Sequence, residues 1–305
     1  MNQQSFSSKI KKIESLAQST KWARLSHAPL RYLSAIFFRQ LIYPYTKKGK
    51  RTTAQPFFGG EMEVILPAGM DLYLLGAKAH DSEIRLTRFL TQVLQKDATF
   101  LDVGTHFGYY SLLAAQLVGH TGKVIGVEAS TAIFELYQNN VKASPQITAF
   151  HLAATAKNGD ISFYEFPILY SEYNTLHPKQ FASANWLKNN PYQKITVEGK
   201  QLDELLAEQK VIPSVIKIDV EGAEFDVLRG LEKTLIQNAP LIAMEYLAED
   251  RDNRTHQAAV KWLENLGYQT YLIGANGEMI QKSIQTIEAQ LRAAKQESDN
   301  IVFKK

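Results

Sequence analysis

Apolar positions recur at helical spacing from about residue 8 to residue 43. Ile10, Ile13, Leu16 and Ala17 come first, then Leu30, Leu33, Ile36, Phe37 and Leu41, with cations between them. Pro29 and Pro44 predict two helices and an end to the second, because proline lacks an amide and clashes with the preceding turn. The run Thr46-Lys47-Lys48-Gly49-Lys50-Arg51 reads as a solvated linker. Apolar runs at 63–66 and 71–75 flank Pro67-Ala68-Gly69-Met70 and predict a β-hairpin turning at Ala68-Gly69. A helix over 82–94 follows.

Beyond residue 98 the periodicity alternates. Strands are predicted over 99–103, 123–127, 147–151, 215–219, 241–245 and 268–273, with a short last strand over 300–303. Helices are predicted over 108–118, 131–143, 223–237 and 255–266, and a charged, exposed one over 283–296. Strand–helix alternation of this kind implies an α/β domain with a doubly wound, mostly parallel sheet. One stretch breaks the pattern. Residues 161–166 form an extra strand, and 167–193 is a long insertion without a period, carrying Tyr170, Tyr173, Phe181, Trp186 and Tyr192. Ordered loops of this length often serve as lids or substrate walls, which makes Tyr170 and Tyr173 candidate acceptor contacts. The chain thus divides into a helical arm (1–51), a hairpin and helix leading into the core (52–97), and the α/β domain (98–305).

Charge changes the picture of the arm. Residues 1–51 hold 11 Lys/Arg against Glu14 alone, a net of +10, leaving 23 cations against 30 acids in the remainder, a net of −7. Three readings of the arm follow: a seat on an anionic membrane surface, self-association or packing on a partner subunit, or a cap on the α/β domain. Nucleic acid is not an expected partner, since the cations follow a helix rather than a groove and the body is acidic. The most apolar stretch, 33–45, is broken by Arg39 and Gln40 and is shorter than the roughly 20 apolar residues a spanning helix needs. No apolar core of signal-peptide length follows the early basic residues, so a cytoplasmic location is expected, free or at the inner membrane surface. The chain has no cysteine, which excludes disulfides, a cysteine nucleophile, thiolate zinc sites and iron–sulfur clusters.

Candidate chemistry begins at Asp102-Val103-Gly104-Thr105-His106-Phe107-Gly108, which follows a buried strand and opens a helix at Tyr110. In a doubly wound sheet, ligands sit outside the carboxyl ends of the strands. There Gly104 would let the backbone approach a nucleoside, and Gly108 would let the helix start close to it. A tight turn with no ligand has the same two glycines. Twenty residues on, the next strand ends at Glu128-Ala129, and an acid there can accept the hydroxyls of a ribose. The order is Asp-x-Gly-x-x-x-Gly rather than the Gly-x-Gly-x-x-Gly that cradles a pyrophosphate. A ligand with an amino-acid end and no phosphate fits better, and Asp102 would suit its ammonium. S-adenosylmethionine is the expected cofactor, held by Asp102, Gly104, Thr105, His106, Gly108, Tyr110, Glu128 and Ala129.

The second constellation is Ile216-Lys217-Ile218-Asp219-Val220-Glu221-Gly222-Ala223-Glu224. Three ionisable residues alternate at the tip of a buried strand, an arrangement that is costly unless they are paired or serve a site. Glu224 also reads as a helix-start acid and Lys217–Asp219 as a structural pair. This block, together with Asp102-Val103-Gly104-Thr105-His106-Phe107-Gly108-Tyr109-Tyr110-Ser111, resembles the FkbM family of methyltransferases. The similarity runs from about 80 to 303 and includes Leu202-Asp203-Glu204-Leu205 and Asn300. The sequence departs from the family's pattern at Ala129, commonly proline, and at Gln201, usually hydroxylated.

The resemblance implies a class I, Rossmann-like enzyme that methylates hydroxyls on sugars, glycans or related products. In-line attack on a sulfonium methyl depends on alignment, which contributes roughly 7–11 kcal/mol in good cases. A base near the hydroxyl adds about 10²–10⁴-fold. Asp219 and Glu221 are the first candidates, with His106 (a residue type that titrates near neutrality) and Glu245 behind them. Glu224 joins Tyr170 and Tyr173 as an acceptor contact. No metal is expected, because no spacing is diagnostic, although Asp219, Glu221, Glu245 and His106 are hard ligands that could converge. A nucleotide-dependent oxidoreductase with a degenerate fingerprint and a non-catalytic binding module are the rival readings.

Overall fold

The computed structural model describes residues 3–182, 184–251 and 253–305. Ahead of the core, β1 (Lys50–Ala54) and β2 (Met62–Leu66) pair antiparallel, with Lys50 opposite Leu66. There follow β3 (Thr99–Val103), β4 (Lys123–Glu128), β5 (Ile147–His151), β6 (Ala153–Ala154), β7 (Gly159–Glu165), β8 (Gln193–Lys200), β9 (Val215–Ile218), β10 (Leu241–Leu247), β11 (Gln269–Ile273), β12 (Met279–Gln281) and β13 (Ser298–Lys304).

Eight of these form the main sheet in the order β12-β11-β13-β10-β9-β3-β4-β5. The five strands from β10 to β5 are parallel, and β13 is inserted antiparallel between β10 and β11. The central strands are nearly continuous apolar runs because helices cover both faces. On one face lie Leu86, Phe89 and Leu90 of the Asp81–Val93 helix with Leu113 and Ala114 of the Tyr109–Val118 helix. On the other lie Leu202, Leu205, Val227, Leu235, Val260 and Leu263 from four helices. A smaller sheet, β6-β8-β7, stands beside the main one.

Several expectations need correction. The hairpin at Ala68-Gly69 does not form: β2 pairs with β1, and the chain turns into a helix at Met70–Leu75. Lys50 and Arg51 therefore belong to a strand rather than a linker. The helix expected over 223–237 is two, Glu224–Arg229 and Glu232–Asn238. A Cβ on Gly230 between them would overlap the Thr155 carbonyl, and Asp203 accepts the amides of Lys233 and Thr234 to cap the second helix. The terminal helix, Ile284–Ala294, buries Ile287 and Leu291 and is not simply exposed. Strand β8 has only Ile195 and Val197 as an apolar signal; it forms because β7 offers a partner along its whole length. The insertion between β7 and β8 is three 3₁₀ turns, Ile168–Tyr173, Pro178–Phe181 and Asn185–Asn189. They gather round Trp186, on which Tyr170 stacks at 4.3 Å between ring centroids.

The arm divides in two. The Gln3–Gln18 helix buries Phe6, Ile10 and Ile13, and Glu14 meets Arg88 at 2.6 Å. The helices Lys21–His27 and Pro29–Phe37 and the π turn Phe38–Ile42 follow, and Pro44 falls in the first turn of the short helix Tyr43–Thr46 rather than after the last one. Among the described residues no helix is long and apolar enough to cross a membrane.

Candidate functional site

The chain crosses from β5 back to the other side of β3 to form β9, so the strand order reverses between β3 and β9. Ligands of doubly wound sheets bind outside the carboxyl ends of the strands at such a reversal. A cavity of about 540 Å³ opens there, within the usual range of roughly 300–1,000 Å³ for small-molecule sites. It gathers the tips of β3, β4, β9 and β10, Ser171–Asn174 of the insertion, and Lys78 and Glu83 from the entry to the core.

At the β4 tip, Glu128 accepts the His106 amide at 2.8 Å and the Ser130 amide at 2.9 Å, one on each oxygen. Burial pushes its carboxyl up to about 7 against the pull of those two amides. Each oxygen keeps a second lone pair for a ligand hydroxyl. Ala129, Leu152 and Ala153 add apolar lining beside it. Lys78, 3.5 Å from Glu83, supplies a buried cation. Burial opposes its charge, but Glu83, Glu172, Asp219 and Asp71 hold the proton on. A ribose acceptor, an apolar wall and a cation for a carboxylate fit S-adenosylmethionine.

Other predicted cofactor residues stand behind this lining. Asp102, Thr105, Gly108 and Tyr110 do not line the cavity. Asp102 is fully buried, accepts the Ser111 hydroxyl at 2.6 Å and lies 3.6 Å from Lys217, so its side chain supports the β3 tip and is not free to meet an ammonium. The Tyr110 hydroxyl donates to Glu83 at 2.5 Å. Thr105 is buried, its amide donating to Val127 at 3.3 Å. Gly104 lines the cavity and Gly108 does not, but both glycines also answer to the protein itself. Gly104 has φ +79° and a Cβ there would overlap the Asp219 carbonyl; Gly108 has φ +89° and a Cβ would meet the Tyr137 ring.

His106 lines the cavity at φ +49°, its ring 3.8 Å from that of Phe107 and its Nε2 3.0 Å from the Ser171 hydroxyl. Burial, helped by the charge of Lys78, lowers its pKa to about 3. The expectation that it titrates near neutrality is overturned, because burial disfavours a further positive charge at a site that already holds Lys78 and Lys217.

Across the cavity, carboxylate oxygens of Asp219, Glu221 and Glu245 lie within 4.8 Å of one another. Burial works against Asp219, but Lys217, with Nζ 3.1 Å from Oδ2, and Lys78 hold its carboxyl below the usual range. Lys217 also donates to the Gly104 carbonyl at 2.9 Å, binding the β3 and β9 tips together. Burial and repulsion from Glu245 and Asp219 push Glu221 well above the carboxylate range, and burial with Asp219 does the same to Glu245. Like charges this close cannot all ionise, so a proton is shared. The same three oxygens are hard donors of the type that hold a divalent cation.

Glu224 belongs elsewhere. It is fully buried, does not line the cavity, and its Oε2 lies 2.9 Å from His256 Nε2. Its Oε1 accepts the amides of Val220 and Gly222 at 3.2 and 3.3 Å, fixing the turn that carries Asp219 and Glu221. Burial raises its pKa, but His256 and the amides of Glu224 itself and Gly222 outweigh it and leave the carboxyl lowered. The acceptor-contact reading is therefore corrected to a support. Tyr170 likewise lies against Trp186 outside the lining, whereas Tyr173 is in it. Glu224→Ala is expected to cost about 3–5 kcal/mol of stability, because removing one partner of a buried pair strands the other. Chemical denaturation would measure it, and a loss below 1 kcal/mol (on the order of a surface pair) would contradict the assignment. A depressed carboxyl stabilises above its unfolded pKa and loses that contribution as pH falls, so the gap between the two proteins should close in acid.

Sequence reasoning missed Lys78, Glu83, Glu172 and Arg251. Arg251 sits 3.6 Å from Glu221 and over the rings of Tyr173 and Phe181, at 5.6 and 5.3 Å. Burial pushes Glu172 up to about 7. Glu83 lies at the start of the Asp81–Val93 helix and the other three in turns, all without a motif, and only the fold brings them together.

The geometry agrees with what sequence comparison finds. The chain is 27% identical over 149 residues to hexuronic acid methyltransferase AglP of Haloferax volcanii, covering 48% of this chain and 56% of that protein. It is 26% identical over 153 residues to methyltransferase 1 of Beauveria bassiana, covering 45% of this chain and 59% of that one. The matches thus span less than two thirds of either relative. The crystal structure of methyltransferase FkbM from Methylobacillus flagellatus superposes with a TM-score of 0.44 at 14% identity, covering 77% of this chain and 52% of that one. The profile described as the methyltransferase FkbM domain matches residues 102–270, from the buried Asp102 through the acidic cluster to Thr270 in β11. Over more than half its length, this chain belongs to the FkbM family of S-adenosylmethionine-dependent methyltransferases.

Proposed function

We propose that the protein transfers a methyl group from S-adenosylmethionine to a hydroxyl of a sugar, glycan or related polyhydroxylated product. The observation that carries this is the position of Asp219, Glu221 and Glu245 opposite Glu128 in a single cavity. The bound cofactor supplies an electrophilic methyl on a sulfonium. Glu128 would accept its ribose hydroxyls, Lys78 would face its amino-acid carboxylate, and Ala129 and Leu152 would line its adenine side. On the other side the Glu221–Glu245 pair, in its ionised form, is placed to take the proton that the acceptor hydroxyl loses on methylation. Asp219, pinned to Lys217, stays ionised and by repulsion makes the pair a stronger base.

The lining favours a polyol over an anionic acceptor. Asp71, Glu83, Glu128, Glu172, Asp219, Glu221, Glu245 and Glu297 face it, against Lys78, Arg251 and Lys295. Carboxylates are strong acceptors for sugar hydroxyls, and the Tyr173 face offers a flat apolar wall. The Haloferax relative is named for a sugar substrate too, but for one with a carboxylate, which this acidic lining does not favour.

Calorimetry with S-adenosylmethionine, then methyl transfer to glycan pools read by mass spectrometry as a gain of one CH₂, tests the proposal. Binding of NAD in place of S-adenosylmethionine would overturn it. Glu128→Ala removes two hydrogen bonds to a charged group, each contributing about 1.5 kcal/mol. It should weaken cofactor binding by about 100-fold and also lower the melting temperature, since the amides of His106 and Ser130 lose their acceptor.

A further inference from the structure

The second half of the arm has two apolar faces, and the fold uses one. Tyr32 is buried, and Ala35, Phe38 and Tyr43, also buried, pack with Leu66 against Met70, Tyr73, Ile168 and Leu169. The outward face carries Trp22 (80% exposed), Leu30 (82%), Leu33, Phe37, Leu41 and Tyr45 (86%). Eight of the twelve exposed large hydrophobic residues among those described fall between positions 22 and 45. A soluble surface rarely leaves so many together uncovered. Around them stand Lys21, Arg31, Arg39, Lys47 and Lys48, all exposed, and no acid occurs between Glu14 and Glu61.

We propose that this face, residues 21–48, seats the protein on an anionic lipid bilayer, with the outward aromatic and aliphatic side chains in the interfacial layer and the cations among the headgroups. Apolar anchors flanked by cations of one sign are what such a surface selects. A second copy of the chain is disfavoured as the occupant, because two such faces would bring like charges together with no acid to offset them. The inference does not depend on the reaction proposed above.

The seat is also joined to the cavity wall. The Leu169 amide donates to the Tyr43 hydroxyl at 3.2 Å and Lys47 Nζ donates to the Asn190 side chain at 3.2 Å. The turn Ile168–Tyr173 that carries Leu169 continues into the cavity lining at Ser171, Glu172 and Tyr173. A bilayer holding the arm thus holds one wall of the site.

Flotation of the full chain with vesicles of phosphatidylcholine alone, or mixed with phosphatidylglycerol, tests the proposal. The protein should float with the mixed vesicles, not the neutral ones, and be released by high salt. Leu33→Ser/Phe37→Ser/Leu41→Ser alters only exposed positions and should lower the bound fraction at least about 10-fold with an unchanged melting curve. Arg39→Glu/Lys48→Glu should abolish the preference for anionic vesicles, and stands as the independent variant if the first fails to fold. Equal flotation of the folded variants and the parent would overturn the proposal. So would a failure of the parent to float, together with a dimer in sedimentation that the triple variant dissociates.

Discussion

Replacing Glu245 by glutamine should lower kcat by about 10²–10⁴-fold, the usual contribution of a general base, and raise the melting temperature at about pH 8. Both effects have one cause. Burial and Asp219 force Glu245, and burial, Glu245 and Asp219 force Glu221, to hold a proton well above the carboxylate range. A carboxyl whose folded pKa is raised favours the folded state fully only below its unfolded pKa of about 4.3, and that contribution is lost as pH rises through the folded value. Each unit of upward shift is about 1.4 kcal/mol of lost stability once both states are ionised. Glutamine keeps the shape and removes the titration, so its advantage should be largest in mild alkali and vanish near about pH 4. Parallel melting curves at the two pH values, or retained turnover, would refute the shared-proton site. Methyl transfer in the parent should rise with pH as the pair ionises and survive a chelator, since the proton rather than a cation is assigned to relieve the repulsion. Loss of activity on chelation and recovery with magnesium would reassign the three oxygens to a metal.

Gly104→Ala should prevent stable folding, or cost about 3–5 kcal/mol if the chain adapts. At φ +79° an alanine is strained, and its Cβ would overlap the Asp219 carbonyl. Relief requires the tips of β3 and β9 to part, which would break the bond from the Asp219 amide to the Val103 carbonyl at 3.1 Å and the Lys217 bond to the Gly104 carbonyl. Thermal melting and cofactor calorimetry should fail together. A variant of normal stability that had merely lost cofactor affinity would restore the reading of Gly104 as a clearance for the ligand.

The candidate site was half legible in the chain. Glu128 ends a strand, Asp219 and Glu221 follow one and Glu245 lies near the end of another, and positions at the carboxyl edge of a parallel sheet converge. Lys78, Glu172 and Arg251 sit in turns far apart in sequence and reach the same cavity only through helix docking and the folding of the insertion. Glu224 shows the opposite failure. It stands within the acidic block, but a fully buried His256 from the Arg254–Asn265 helix claims it.

Periodicity by itself determined the core. Nearly uniform apolar runs separated by helical patterns can be satisfied only by a sheet covered on both faces, and the order Asp-x-Gly-x-x-x-Gly with an acid twenty residues on pointed to a nucleoside site at its edge. What the sequence could not hold is the partner of each polar group. Whether Gly104 makes room for a ligand or for the next strand, whether Asp102 meets an ammonium or Lys217, and whether His106 can charge all depend on what stands within a few ångströms from elsewhere in the chain. Burial and neighbouring charge decide these roles, and both exist only once the chain has folded.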